Sequence, residues 1–174
     1  LMVIEKAFKK IQETQYEGIL FINLSPKSLI MGDFINKING FVYKYGIQKD
    51  KIVFEITERE TVKNFSLLEK FVYTLKLEGY KFAIDDFGSG FSSFHYIKKF
   101  PIDYVKIDGD FIVNINKDEK DRAFVNSIVT LAKELKIQTV AEFVENEEIV
   151  QVLNALEIDY YQGFHIGKPA QKFI

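Results

Sequence analysis

Residues 81–93 read Lys81-Phe82-Ala83-Ile84-Asp85-Asp86-Phe87-Gly88-Ser89-Gly90-Phe91-Ser92-Ser93: an apolar run, two adjacent carboxylates, then a glycine- and serine-rich turn. A short apolar run bounded by turn residues predicts a buried strand, here over 81–86, with its charge gathered at the C-terminal end. The pattern recurs outward in both directions. Further strands are expected at 18–23, 51–57, 103–107, 137–142 and 158–162, with amphipathic stretches near 31–45, 63–78, 91–99, 118–135 and 146–156 between them. In the stretch 118–135 the expected buried face carries Phe124, Ile128, Leu131 and Leu135, with Lys120, Asp121, Lys133 and Glu134 in water. Strands separated by helices are expected to run parallel, because parallel neighbours need crossover connections.

The strand ends, taken in order, carry Asn23, Glu55, Asp85 with Asp86, Lys106 with Asp108, Glu142 and Gln162. Any one of these can be a simple helix cap. All six together fit a closed parallel barrel, whose site is built on the C-terminal face from strand ends and loops. An open doubly wound sheet would gather its site at one crevice instead. The expected fold is therefore an α/β chain of the (β/α)8 TIM-like barrel type. Such a barrel has eight strands. Residue 1 is Leu, and Leu1, Val3, Ile4, Phe8 and Ile11 already follow helical spacing with no polar cap before them. The expectation is a piece of a longer protein that lacks the first two strands, with residues 1–174 as one partial domain.

Composition bounds the rest. The chain has 174 residues, 47% hydrophobic and 15% aromatic, which suits a folded core and excludes disorder. A net charge of -2 argues against binding a nucleic-acid polymer through a broad basic face. With no cysteine there are no disulfides and no thiolate chemistry. No apolar run is long enough to span a membrane, and a cytoplasmic location is expected for this part of the protein.

Asn23, Glu55, Asp85 and Asp86 offer hard oxygen ligands of the kind magnesium or manganese prefers, and adjacent carboxylates can serve two ions. Lys106 can place positive charge on a scissile phosphate or orient the attacking water, or simply serve as buried counter-ion to Asp85. Glu142 is the candidate general base. The turn at 88–93 lacks the dinucleotide-binding glycine spacing. His95 and His165 stand far apart and do not suit zinc. Ser25 has no evident histidine partner for acyl transfer.

Six segments together resemble the EAL domain, the bacterial cyclic di-GMP phosphodiesterase module. They are Ile22-Asn23-Leu24-Ser25, Phe54-Glu55-Ile56-Thr57-Glu58, residues 85–93, residues 101–108, Ala141-Glu142-Phe143-Val144-Glu145, and Gln162-Gly163-Phe164 with Gly167-Lys168-Pro169. The resemblance implies hydrolysis of cyclic di-GMP to linear pGpG with two Mg2+ or Mn2+ ions. It implies Asn23, Glu55 and Asp85 as metal ligands, Asp86 for the second metal, Lys106 for the nucleophilic water, Glu142 as base and Gln162 at a site water. Glu58 would anchor the loop that holds Gly88 and Ser92, while Asp108 and Glu145 match further polar positions. It also implies a homodimer with its interface near residues 91–99, and an attached sensor or GGDEF-type domain in a parent protein that can itself be membrane-attached. The Glu-Ala-Leu motif is absent from this sequence, and neither Arg59 nor Arg122 stands where the family places its substrate arginine. Phe143 stands where glycine is commoner. A non-catalytic cyclic di-GMP receptor is the alternative reading.

Overall fold

The computed structural model describes residues 1–25, 28, 33–89 and 97–170. Helix α1 (Met2–Thr14) leads into strand β1 (Leu20–Asn23), then helix α2 (Phe34–Tyr45) and strand β2 (Ile52–Thr57). Helices α3 (Glu58–Lys63) and α4 (Phe65–Leu77) precede β3 (Lys81–Phe87), which is followed by β4 (Tyr104–Ile107) and the short α5 (Gly109–Ile112). Helix α6 (Glu119–Glu134), β5 (Gln138–Ala141), α7 (Glu147–Ala155) and β6 (Tyr160–Tyr161) complete the order. The six strands form one sheet in the order β1-β2-β3-β4-β5-β6, every neighbouring pair parallel, as a half-barrel with helices.

Strand alternation sorts the side chains into two faces. Ile52, Phe54 and Ile56 of β2, Phe82 and Ile84 of β3, and Val105 and Ile107 of β4 join the large core under the helices. The alternate residues Val53, Ala83, Tyr104 and Val140 form a second, smaller cluster, with Ile19 and Phe21 packed against it. The same alternation places Glu55, Asp85, Lys106 and Glu142 on the side of that smaller cluster, one step nearer the strand C-termini.

The helices bury one stripe each: Ile4, Phe8 and Ile11 in α1; Phe34, Ile38 and Val42 in α2; Leu68, Phe71, Val72 and Leu75 in α4. Burying such a side chain contributes roughly 1.5–3 kcal/mol, more than helix propensity supplies. Their ends are marked by local chemistry. Asp118 caps α6 by accepting from Lys120 N–H at 2.7 Å, and Asn146 caps α7 by accepting from Ile149 N–H at 3.0 Å. One device recurs at the strand N-termini, where an acid just before one strand ties down the start of its neighbour. Asp103 accepts from Phe82 N–H at 2.8 Å and also pairs with Lys76, while Asp159 accepts from Thr139 N–H at 2.7 Å.

Several expectations are corrected. The buried stripe of α6 is Val125, Ile128, Val129 and Ala132; Leu135 is exposed and Phe124 and Leu131 are only partly covered. The Phe124 ring instead stacks on Phe111, at 4.3 Å between centroids, which rotates the stripe by one residue. Val3 is exposed on the outer face of α1. The helix expected over 63–78 is α4, and a short helix that was not expected, α3, precedes it, starting at Glu58 where Thr57 accepts a hydrogen bond from Glu60 N–H at 3.4 Å. The strand expected over 158–162 pairs only at Tyr160–Tyr161. Most of the helix expected over 91–99, and Ser92 with it, lies outside the described residues.

Candidate active site

Four consecutive strands each deliver one ionisable group to the same point. Register pairs Glu55 with Ala83 and Lys106 with Val140, so Asp85 and Glu142 stand two residues beyond those ladder partners. This stagger is the tilt of barrel-type strands, and it brings side chains from different rows together. Lys106 Nζ lies 2.8 Å from Asp85 Oδ1, 2.9 Å from Glu142 Oε1 and 3.2 Å from Glu55 Oε2. All four residues are buried, Lys106 to 4% exposure.

Asp86 enters by a different route. Simple alternation would send it to the helix side of β3, opposite Asp85. The β3–β4 register shifts between Ile84 and Phe87, and Asp86 takes a left-handed φ of 52°. Such a bulge re-aims a side chain. Oxygens of Asp85, Asp86 and Glu142 consequently lie within 4.8 Å of one another. Behind the bulge, Gly88 has φ 104° and donates its N–H to Glu58 Oε2 at 2.9 Å, with Glu58 fully buried. A Cβ at Gly88 would fall 2.9 Å from Phe124 and 3.0 Å from Phe111, so both conformation and space require glycine.

The electrostatics follow from this crowding. Burial raises the Glu142 carboxyl to about 7, with Lys106 pulling it partly back down. Burial also raises Glu55 and Asp86, and the neighbouring Asp85 charge adds to both. Burial alone would push the Lys106 ammonium down, but Glu55, Asp85 and Glu142 outweigh it and hold the ammonium above the usual lysine range. Glu55 Oε2 and Asp85 Oδ1 lie within ion-pair reach of Lys106, yet neither receives a well-directed hydrogen bond. Four carboxylates face one ammonium, and two of their buried oxygens have acceptor capacity to spare. That donor set fits a hard divalent cation.

The remaining expected residues occupy distinct places. Asn23 and Gln162 stand exposed at the ends of the flanking strands β1 and β6, Gln162 with its backbone N–H donating to Ala141 O at 2.8 Å. Asp108, half-buried, accepts from Asp110 N–H at 2.9 Å and caps α5. Glu145 is exposed. Arg122 donates to the carbonyls of Ile115 and Asn116 on the helix layer. A cavity of about 750 Å³ opens at the opposite rim, between the end of α1 and the turn into β2, away from these carboxylates. Sequence reading noted Phe143 for its residue type and did not anticipate its left-handed φ of 52°. The signal for it lies in the family resemblance, where glycine, the residue that takes such a φ freely, is commoner at this position.

The chain was compared with known proteins. A family model described as the EAL domain matches residues 1–169. The cyclic di-GMP phosphodiesterase PdeA of Borreliella burgdorferi is 42% identical over 171 residues, covering 97% of this chain and 26% of that protein. The chain thus spans about a quarter of that relative's length. Among solved structures, the EAL domain of Mycobacterium smegmatis DcpA superposes with a TM-score of 0.88 at 30% identity, covering 96% of this chain and 77% of that one. A manganese/cyclic di-GMP complex of Klebsiella pneumoniae BlrP1 gives a TM-score of 0.87 at 31% identity, covering 92% of this chain and 41% of that one.

Proposed function

Because the chain belongs to the EAL domain family, we propose that residues 1–174 form one EAL-type unit whose strand-end cluster hydrolyses cyclic di-GMP to linear pGpG. The observation that carries this reading is Lys106 held at 2.8–3.2 Å from three buried carboxylates, with Asp86 turned in beside them. A receptor that only binds has no need to bury so much like charge at one point.

In this reading Asn23, Glu55, Asp85 and Asp86 would hold two Mg2+ or Mn2+ ions. Such ions supply Lewis-acid polarisation of the phosphodiester and a lowered pKa for a coordinated water. Lys106 orients the attacking water and adds positive charge where the phosphorane-like transition state gathers negative charge. Glu142, hydrogen-bonded to Lys106, is placed to take the proton of that water. Glu58 fixes Gly88, and through it the bulge that aims Asp86. Gln162 contacts a site water from the β6 end. The family also supports a homodimer, a cytoplasmic setting and an attached regulatory domain in the whole protein.

The test is a chromatographic assay of cyclic di-GMP with manganese, on a protein in which a Glu-Ala-Leu strand precedes residues 1–174 and on the purified chain alone. Linear pGpG is expected from the longer protein, with a loss of about 100-fold or more in Glu142→Gln, and little or none from the chain alone. Cyclic di-GMP bound tightly but recovered uncleaved would replace the enzyme reading with a receptor.

A further inference from the structure

Phe143 directly follows the buried Glu142, and its φ of 52° is a conformation that suits glycine and strains a bulky side chain. The residue is nevertheless 59% exposed. A strained backbone and a wetted aromatic ring fall on the same residue, and burial of the ring offsets neither. The position is firmly held. Val144 N–H donates to Gln162 O at 3.0 Å, and His165 N–H donates to Val144 O at 3.0 Å. Gly163 lies so close beneath that a Cβ there would meet Val144 N at 2.2 Å. On its other side the ring lies over Gly109, where a Cβ would fall 2.2 Å from Phe143 Cδ2. Gly109 opens α5 three residues after Lys106. A glycine floor therefore supports part of the ring at the rim between β4 and β5, one residue along the chain from Glu142, and the residue is otherwise open to solvent.

We infer that Phe143 is a positioning residue for the substrate: a rigid aromatic platform on which one of its purine bases stacks while the phosphodiester reaches the carboxylates. This rests on the cyclic dinucleotide reading above and deepens it. Every base offers a π-face to an aromatic ring, and the contact needs no hydrogen-bonding partner. A side chain with few rotatable bonds, clamped by its backbone, loses little freedom when the base arrives.

The test uses the unsubstituted protein, Phe143→Gly and Phe143→Trp, each with cyclic di-GMP. Phe143→Gly relieves the left-handed strain, so its melting temperature is expected to hold or rise by a few degrees while affinity falls roughly tenfold or more. A ring with only a packing role would move stability and affinity down together. The chain contains no tryptophan, so Phe143→Trp carries the only indole. It is expected to retain affinity and to lose emission as the ligand saturates. Unchanged affinity in Phe143→Gly, or unchanged indole emission at saturation, overturns the platform while leaving the family reading intact. An unsubstituted protein that neither binds nor cleaves cyclic di-GMP overturns both. Where the glycine variant loses both stability and affinity, the indole signal decides.

Discussion

Lys106 is the residue on which the site's energetics turn. It sets one positive charge among three carboxylates that the fold has removed from water, and removing one partner of such a set costs about 3–5 kcal/mol. Glu142 bears the opposite side of that balance. Its folded pKa is raised from 4.5 to about 7, so its favourable contribution is complete below about 4.5 and is lost as pH rises through 7. In the presence of a chelator, Glu142→Gln is therefore expected to gain stability relative to the parent as pH rises from about 4.5 to 7. Parallel melting curves across that range would show it, and a constant gap would count against the raised pKa. The identity of these residues was legible in the sequence, since each follows an apolar run. That one ammonium meets three of them at once was not, because it depends on the stagger between four strands. The left-handed backbone at Asp86 and Phe143 was equally hidden, as neither is glycine.

Among the elements, β3 departs furthest from its sequence pattern. The strand over 81–86 was correctly read, but adjacent Asp85 and Asp86 imply opposite faces until the bulge is seen. Gly88 was read as a turn glycine, whereas its φ of 104° and the flanking Phe111 and Phe124 rings make it the support of that bulge. Gly88→Ala is expected to destabilise the chain by about 1–3 kcal/mol. It should also weaken Mn2+ binding, by calorimetry, through the displaced Asp86. Wild-type metal affinity in that variant would separate the bulge from the site. The stripe of α6 was misplaced by one residue because the Phe111–Phe124 stack, invisible to periodicity, takes Phe124 out of the core. Caps at Asp118 and Asn146 set the helix starts within a residue of expectation, since their chemistry is local.

For the molecule as a whole, strand count, order and parallel direction were readable because each strand is followed by its own crossover. Closure was not. Among the described residues β1 and β6 have ladder partners on one side only. Open edges offer unpaired backbone groups to another chain. The purified 174-residue chain is expected to self-associate reversibly in sedimentation velocity over micromolar concentrations, and a single monomer boundary throughout would contradict that.

The unbroken order β1-β2-β3-β4-β5-β6 has a consequence for how the protein comes into being. From β2 onward each strand pairs with its immediate predecessor in synthesis, so the sheet can lengthen at one growing edge as the chain emerges. Glu55 and Asp85 arrive on β2 and β3 before the lysine that balances them. Until β4 docks, those acids must stay hydrated or protonated, which ties the drying of the nascent centre to a single addition step. Glu142 then joins a cation already in place.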